Sequence, residues 1–168
     1  DIDNALRAVV FGAVGTAGQR CTSTRRVILH ESIYEMFTEK LLKVYSQLSI
    51  GHPLEGNLVG PVIDKNAVAQ FTKAIELVKA EGGDILCGGK IMEGEGFESG
   101  CYVQHAIAEV NADFKIIQEE TFAPLLYLMK YSNLQEAIDF QNNVPQGLSS
   151  AIFSNNMQEV ELFLNYAG

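Results

Sequence analysis

Apolar residues divide the chain into alternating blocks. Residues 3 to 17 are almost all small or apolar, which predicts a helix that Asp3 or Asn4 can cap. A polar, basic stretch follows, and then Arg26-Val27-Ile28-Leu29-His30 predicts a short buried strand. Beyond Glu31-Ser32, the residues Tyr34, Phe37, Leu41, Val44 and Leu48 recur at steps of three and four, the stripe of an amphipathic helix. Gly51-His52-Pro53 stops it, and residues 51 to 63 read as a connecting loop. Asp64 is placed to cap a third helix whose apolar face is Val68, Phe71, Ile75 and Val78, with Gly82-Gly83 as its exit.

Ile85-Leu86-Cys87 predicts a brief strand, and the five glycines and three glutamates from Gly88 to Gly100 predict an exposed, mobile excursion. Extended structure resumes at Tyr102-Val103-Gln104. Pro124 to Met129 is apolar throughout, as expected of a central strand. A short helix with Leu134, Ala137, Ile138 and Phe140, a strand at Ala151-Ile152-Phe153 and a last helix with Val160, Phe163 and Leu164 complete the pattern. Strands alternating with helices predict an α/β fold, an open and mainly parallel twisted sheet flanked by helices. No internal repeat or linker divides it.

Composition narrows the partners. Hydrophobic residues make up 47% and charged residues 20%, as in an ordinary globular domain. The net charge of −9 argues against nucleic acid and anionic membranes. No apolar run is long enough for a membrane span. Asp1, Asp3 and Arg7 interrupt the start and no Met opens it, so no signal peptide is expected and the sequence reads as beginning in mid-protein. Cys21, Cys87 and Cys101, odd in number and widely spaced, suit neither a disulfide framework nor a metal site. A reducing compartment, the cytoplasm, is expected. His30, His52 and His105 are isolated and read as surface or strand residues.

The stretch with the most chemistry is Gly12 to Arg26. Gly12, Gly15 and Gly18 recur every third residue. Each costs a helix roughly 1 kcal/mol relative to Ala, which predicts a closely approaching backbone or the space of a ligand. Cys21 has two readings: a small buried hydrophobe, or a reactive thiol. Its neighbours Gln19, Arg20, Thr22, Ser23, Thr24, Arg25 and Arg26 could not all enter an apolar core, and guanidinium groups nearby would favour the thiolate.

Phe11, Gly18-Gln19-x-Cys21 and Arg25 together resemble the active-site cysteine signature of the aldehyde dehydrogenase superfamily. Glu119-Glu120-Thr121-Phe122-Ala123-Pro124, with Glu120 99 residues after Cys21, resembles a second signature of that superfamily. Gly15 to Thr22, Glu120 to Pro124 and Gln146-Gly147-Leu148-Ser149-Ser150-Ala151-Ile152-Phe153 resemble the antiquitin-like branch, the 2-aminoadipate semialdehyde dehydrogenases. Gln146 stands where most of the superfamily has Tyr.

The resemblance extends over residues 1–168 and implies the nucleophile-bearing catalytic domain of a longer enzyme, truncated at both ends and without its nucleotide-binding domain. It implies Cys21 as the nucleophile that attacks an aldehyde carbonyl. It implies Glu120 as acceptor for the ribose hydroxyls of NAD, with NADP as the alternative, and Phe122 as packing beside the nicotinamide. Read from its type alone, Glu120 is a surface carboxylate paired with a lysine, and Phe122 a core residue. Arg20, beside the nucleophile, can pair with a carboxylate, which suits an acidic aldehyde as substrate. The parent is expected to be a homo-oligomer, a tetramer by resemblance. A dehydrogenase for another aldehyde such as betaine aldehyde, or a module with a binding or oligomerisation role and no turnover, would carry the same residues.

Overall fold

The computed structural model describes residues 1–165, and in it the apolar stripes become α1 (Ile2–Val14), α2 (Glu31–Tyr45), α3 (Lys65–Ala80), α4 (Leu134–Asn142) and α5 (Met157–Leu164). The strands are β1 (Arg26–His30), β2 (Asp84–Cys87), β3 (Ala106–Glu109) and β4 (Leu125–Tyr131), in sheet order β1-β4-β3-β2. β1 and β3 flank β4 in parallel, and β2 adds an antiparallel edge. The α/β expectation holds, with the sheet mixed at that edge. The helices pack against it: α2 and α4 lie on β1 and β4, and α3 lies on β2.

Side chains alternate faces along a strand, so Leu125, Leu126, Tyr127, Leu128 and Met129, all buried in succession, show that both faces of β4 are covered. The α2 stripe buries Tyr34, Phe37 and Leu41, and α3 buries Val68, Phe71, Ile75 and Val78. Asp64 caps α3, its carboxylate accepting from the Ala67 N–H at 2.8 Å. None of the described helices is long and apolar enough to cross a membrane.

Three expectations are corrected. Asp1, not Asp3 or Asn4, caps α1, because its carboxylate reaches the Asn4 N–H at 3.1 Å. The first helix stops at Val14. Residues 102 to 104 are extended as expected and pair with residues 89 to 92 around the Val103–Ile91 bridge, while the strand that joins the sheet is Ala106–Glu109. Residues 151 to 153 form no strand; they line the same groove as β1, whose one ladder partner among the described residues is β4.

The histidines serve the fold. His30 Nδ1 accepts from the Ser32 N–H and caps α2, and His52 does the same for the Leu54 N–H. His105, expected as a surface or strand residue, sits directly before β3 and is only 5% exposed, and its Nε2–H donates to the Tyr45 carbonyl at 2.9 Å. Burial lowers its pKa, so the folded protein resists a proton that the unfolded chain takes up near about pH 6.5. Stability from this group is full above that pH and is lost as pH falls below it. The urea midpoint should therefore drop between about pH 7.5 and about pH 5.5, and His105→Gln should flatten that drop; an equal drop in the variant would assign it to other groups.

Candidate active site

The turn that carries Cys21 begins where α1 fails to continue. Thr16, Ala17 and Gly18 take φ of 57°, 53° and 68°, three left-handed residues in a row, two of them carrying a Cβ. Gly18 is held against another segment: a methyl group there would lie 2.6 Å from the Ala123 carbonyl carbon and 2.9 Å from Pro124 Cα. Gly12 is also closely approached, by Thr24, whose N–H donates to the Gly12 carbonyl at 2.9 Å. Gly15 has open space around it. Two of the three glycines therefore serve close approach, but from a helix and a left-handed turn, not from one helical face.

Cys21 and Thr22 occupy the centre of a tight turn. The Ser23 N–H donates to the Arg20 carbonyl at 3.0 Å, and the Arg20 N–H donates to Ser23 Oγ at 3.1 Å. The thiol is exposed, as the polar flank predicted, whereas Cys87 and Cys101 are half-buried. Gln19 fastens this turn to the loop before α3: its Oε1 accepts from the Ile63 N–H at 2.7 Å, and its Nε2 donates to the Thr16 carbonyl at 3.2 Å.

The arginines of the basic flank tie the Cys21 turn to distant segments. Arg26 donates to the Phe140 and Gln141 carbonyls at the end of α4, at 2.8 and 3.2 Å. Arg25 reaches the segment before β4, and Arg20 is exposed. Arg25 Nη1 donates to the Thr121 carbonyl at 2.7 Å; Nη2 donates to the Gly18 and Arg20 carbonyls at 3.0 and 3.2 Å. The same side chain pairs with Glu120 at 3.6 Å and lies 5.2 Å from the centroid of the Phe122 ring. Burial lowers the pKa of this guanidinium, and the Glu120 charge partly offsets that. Glu120 is thus paired with an arginine and not a lysine, and Phe122 is a surface residue and not a core one.

Parallel pairing brings these pieces together. Arg26 stands opposite Tyr127, so the Cys21 turn and residues 119 to 124 enter neighbouring strands side by side at their N-terminal ends. A groove of about 520 Å³ opens there, with Cys21, Glu119, Glu120 and Gln146 among its walls, while Arg20 and Phe122 are not. Gln146 is anchored by its Nε2–H to the Gln118 carbonyl at 3.1 Å. Sequence reasoning missed the joining role of Arg25 and Gln19; their bonds reach residues up to 98 and 44 positions away.

An exposed thiol at a turn tip should react before half-buried ones, and burial pushes the Cys87 thiol up. Brief alkylation of the folded protein at neutral pH should label Cys21 at least about ten times faster than Cys87 or Cys101. Mass-spectrometric mapping would show it, and faster labelling of either other cysteine would count against the site.

The sequence profile of the aldehyde dehydrogenase family matches residues 1–166. The chain belongs to the aldehyde dehydrogenase family. It is 49% identical over 161 residues to aldehyde dehydrogenase family 7 member B4 of Arabidopsis thaliana, covering 95% of this chain and 31% of that protein. It is 41% identical over 170 residues to the α-aminoadipic semialdehyde dehydrogenase of Rattus norvegicus, covering all of this chain and 31% of that one. Among solved structures, 3,6-anhydro-L-galactose dehydrogenase in complex with NAP superposes with a TM-score of 0.94 at 28% identity, covering 98% of this chain and 35% of that one. The 1-pyrroline-5-carboxylate dehydrogenase from Thermus with bound NAD superposes with a TM-score of 0.89 at 32% identity, covering 96% and 31%. The chain thus spans about a third of the length of the curated relatives it matches.

Proposed function

We propose that this chain is the nucleophile-bearing part of an NAD(P)-dependent aldehyde dehydrogenase that oxidises 2-aminoadipate semialdehyde to 2-aminoadipate, as in lysine catabolism. The observation that carries this reading is the exposed Cys21 thiol sharing a groove with the Glu120 carboxylate. The Cys21 thiolate attacks the aldehyde carbon and forms a thiohemiacetal, while the Cys21 amide N–H steadies the oxyanion. The nicotinamide dinucleotide, when bound, accepts the hydride that leaves this carbon. The thioester left on Cys21 is then hydrolysed by water, releasing the acid and restoring the thiol.

The residues present suit such a cofactor. Glu120 keeps 45% of its side chain exposed beside the groove, an acceptor available to ribose hydroxyls, and Phe122 offers an exposed ring to a flat partner. Arg20, exposed on the turn, supplies a cation for the carboxylate of an acidic aldehyde. The 41% identity to a semialdehyde dehydrogenase supports that substrate class. The whole enzyme would work as a homo-oligomer in the reducing cytoplasm.

The test is steady-state kinetics of a protein of full family length carrying this sequence. Glu120→Gln should raise the KM for NAD by about tenfold, the loss of one charge-assisted hydrogen bond, while Cys21 still alkylates normally. The same assays with Arg20→Ala should show a larger loss for the acidic aldehyde than for a neutral one of similar length. Unchanged cofactor dependence in Glu120→Gln would remove the ribose role.

A further inference from the structure

The catalytic thiol and the ribose-facing carboxylate stand on segments that share no covalent neighbour, and one planar group bridges them. The two arms of the Arg25 guanidinium divide the work. Nη2 serves the Cys21 turn through the Gly18 and Arg20 carbonyls, and Nη1 serves the other segment through the Thr121 carbonyl at 2.7 Å and the Ala123 carbonyl at 3.4 Å. The root of the side chain is fixed as well, since the Arg25 carbonyl accepts from the Tyr127 N–H at 2.8 Å. With 15% of the side chain exposed, the fork cannot drift into solvent. Its ion pair to Glu120, at 3.6 Å, is loose enough to leave the carboxylate open to hydroxyl donors.

Resting on the dehydrogenase reading above, we infer that Arg25 is a positioning residue that sets the placement of the Cys21 thiol relative to the Glu120 carboxylate, so that cofactor binding and nucleophile alignment depend on one side chain. The inference separates two jobs that a conservative replacement splits. Lysine keeps a point charge for Glu120 but cannot donate in four directions from a rigid plane. It should preserve the electrostatic half and lose the alignment half.

The experiment uses the full-length enzyme and counts active sites by alkylation of Cys21, so that every rate is expressed per reactive thiol. Arg25→Lys should bind NAD within about threefold of wild type while its kcat falls by about tenfold to a hundredfold, because about 1 Å of misplacement is enough for such a loss. Arg25→Met should lose the same kcat and also bind NAD about tenfold more weakly. A kcat per titrated thiol and an NAD affinity both unchanged in Arg25→Met, beside a lowered melting temperature, would make Arg25 merely structural and overturn the inference. Should Arg25→Met fail to fold, Arg25→Lys decides: a wild-type kcat per thiol overturns it, and a lowered kcat with retained NAD affinity supports it. A wild-type enzyme that binds NAD and oxidises no aldehyde would overturn the functional reading itself, and this inference with it.

Discussion

Cys21→Ser in the full-length enzyme should lower aldehyde oxidation by about ten-thousandfold or more, with little change in thermal stability. A hydroxyl is a poor nucleophile at neutral pH unless a base takes its proton. Among the described residues no imidazole is placed to do so, since His30 and His52 cap helices and His105 is buried against Tyr45. Sulfur is intrinsically the stronger nucleophile and depends less on such a helper. The residue is exposed at a turn tip, so losing sulfur opens no cavity and the melting temperature should move little. Measuring kcat/KM beside a circular-dichroism melt would check both halves. A serine variant keeping more than about a tenth of the wild-type rate would remove Cys21 from the role of nucleophile.

Gly18→Ala should destabilise the fold by about 2 to 4 kcal/mol, combining left-handed strain with a backbone collision. At φ 68° an L side chain is already disfavoured, and the added methyl would sit 2.6 Å from the Ala123 carbonyl carbon. Neither neighbour can rotate away, because both are backbone. Relief requires residues 123 to 124 to move, and these lead directly into the buried run Leu125 to Met129 of β4. Gly15→Ala is the matched control: φ is −53° and nothing lies within 4 Å of the added methyl. It should be neutral within about 0.5 kcal/mol, or slightly stabilising through the unfolded chain. Urea unfolding of both variants would compare them. A Gly18→Ala loss no larger than that of Gly15→Ala would show that the turn relaxes freely.

Much of this architecture is determined by the sequence alone, for a physical reason. Burial on one helical face requires an apolar stripe of fixed period, so α2 and α3 are legible in Tyr34, Phe37, Leu41 and in Val68, Phe71, Ile75, Val78. A strand covered on both faces must be apolar at consecutive positions, and Leu125 to Met129 are. A short carboxylate before such a stripe caps it, as Asp64 does. A turn that cannot enter the core because its residues are polar must expose its cysteine, and Cys21 is exposed.

The tertiary structure decided what depends on partners distant in the chain. Ala106–Glu109 has little strand propensity of its own, yet it becomes β3 because β4 offers it a parallel ladder from Leu125 to Leu128. Ala151 to Phe153 has the stronger strand pattern but finds no ladder partner among the described residues. The end of α1 is set by Gly18 meeting the backbone of Ala123 and Pro124, a contact that no local pattern announces. The same holds for the site, where Arg25 reads as one more basic residue until the parallel register of β1 and β4 brings residues 119 to 123 within reach of its guanidinium. Periodicity records which face of an element is buried, whereas hydrogen-bond partners across a sheet are chosen only when the strands assemble.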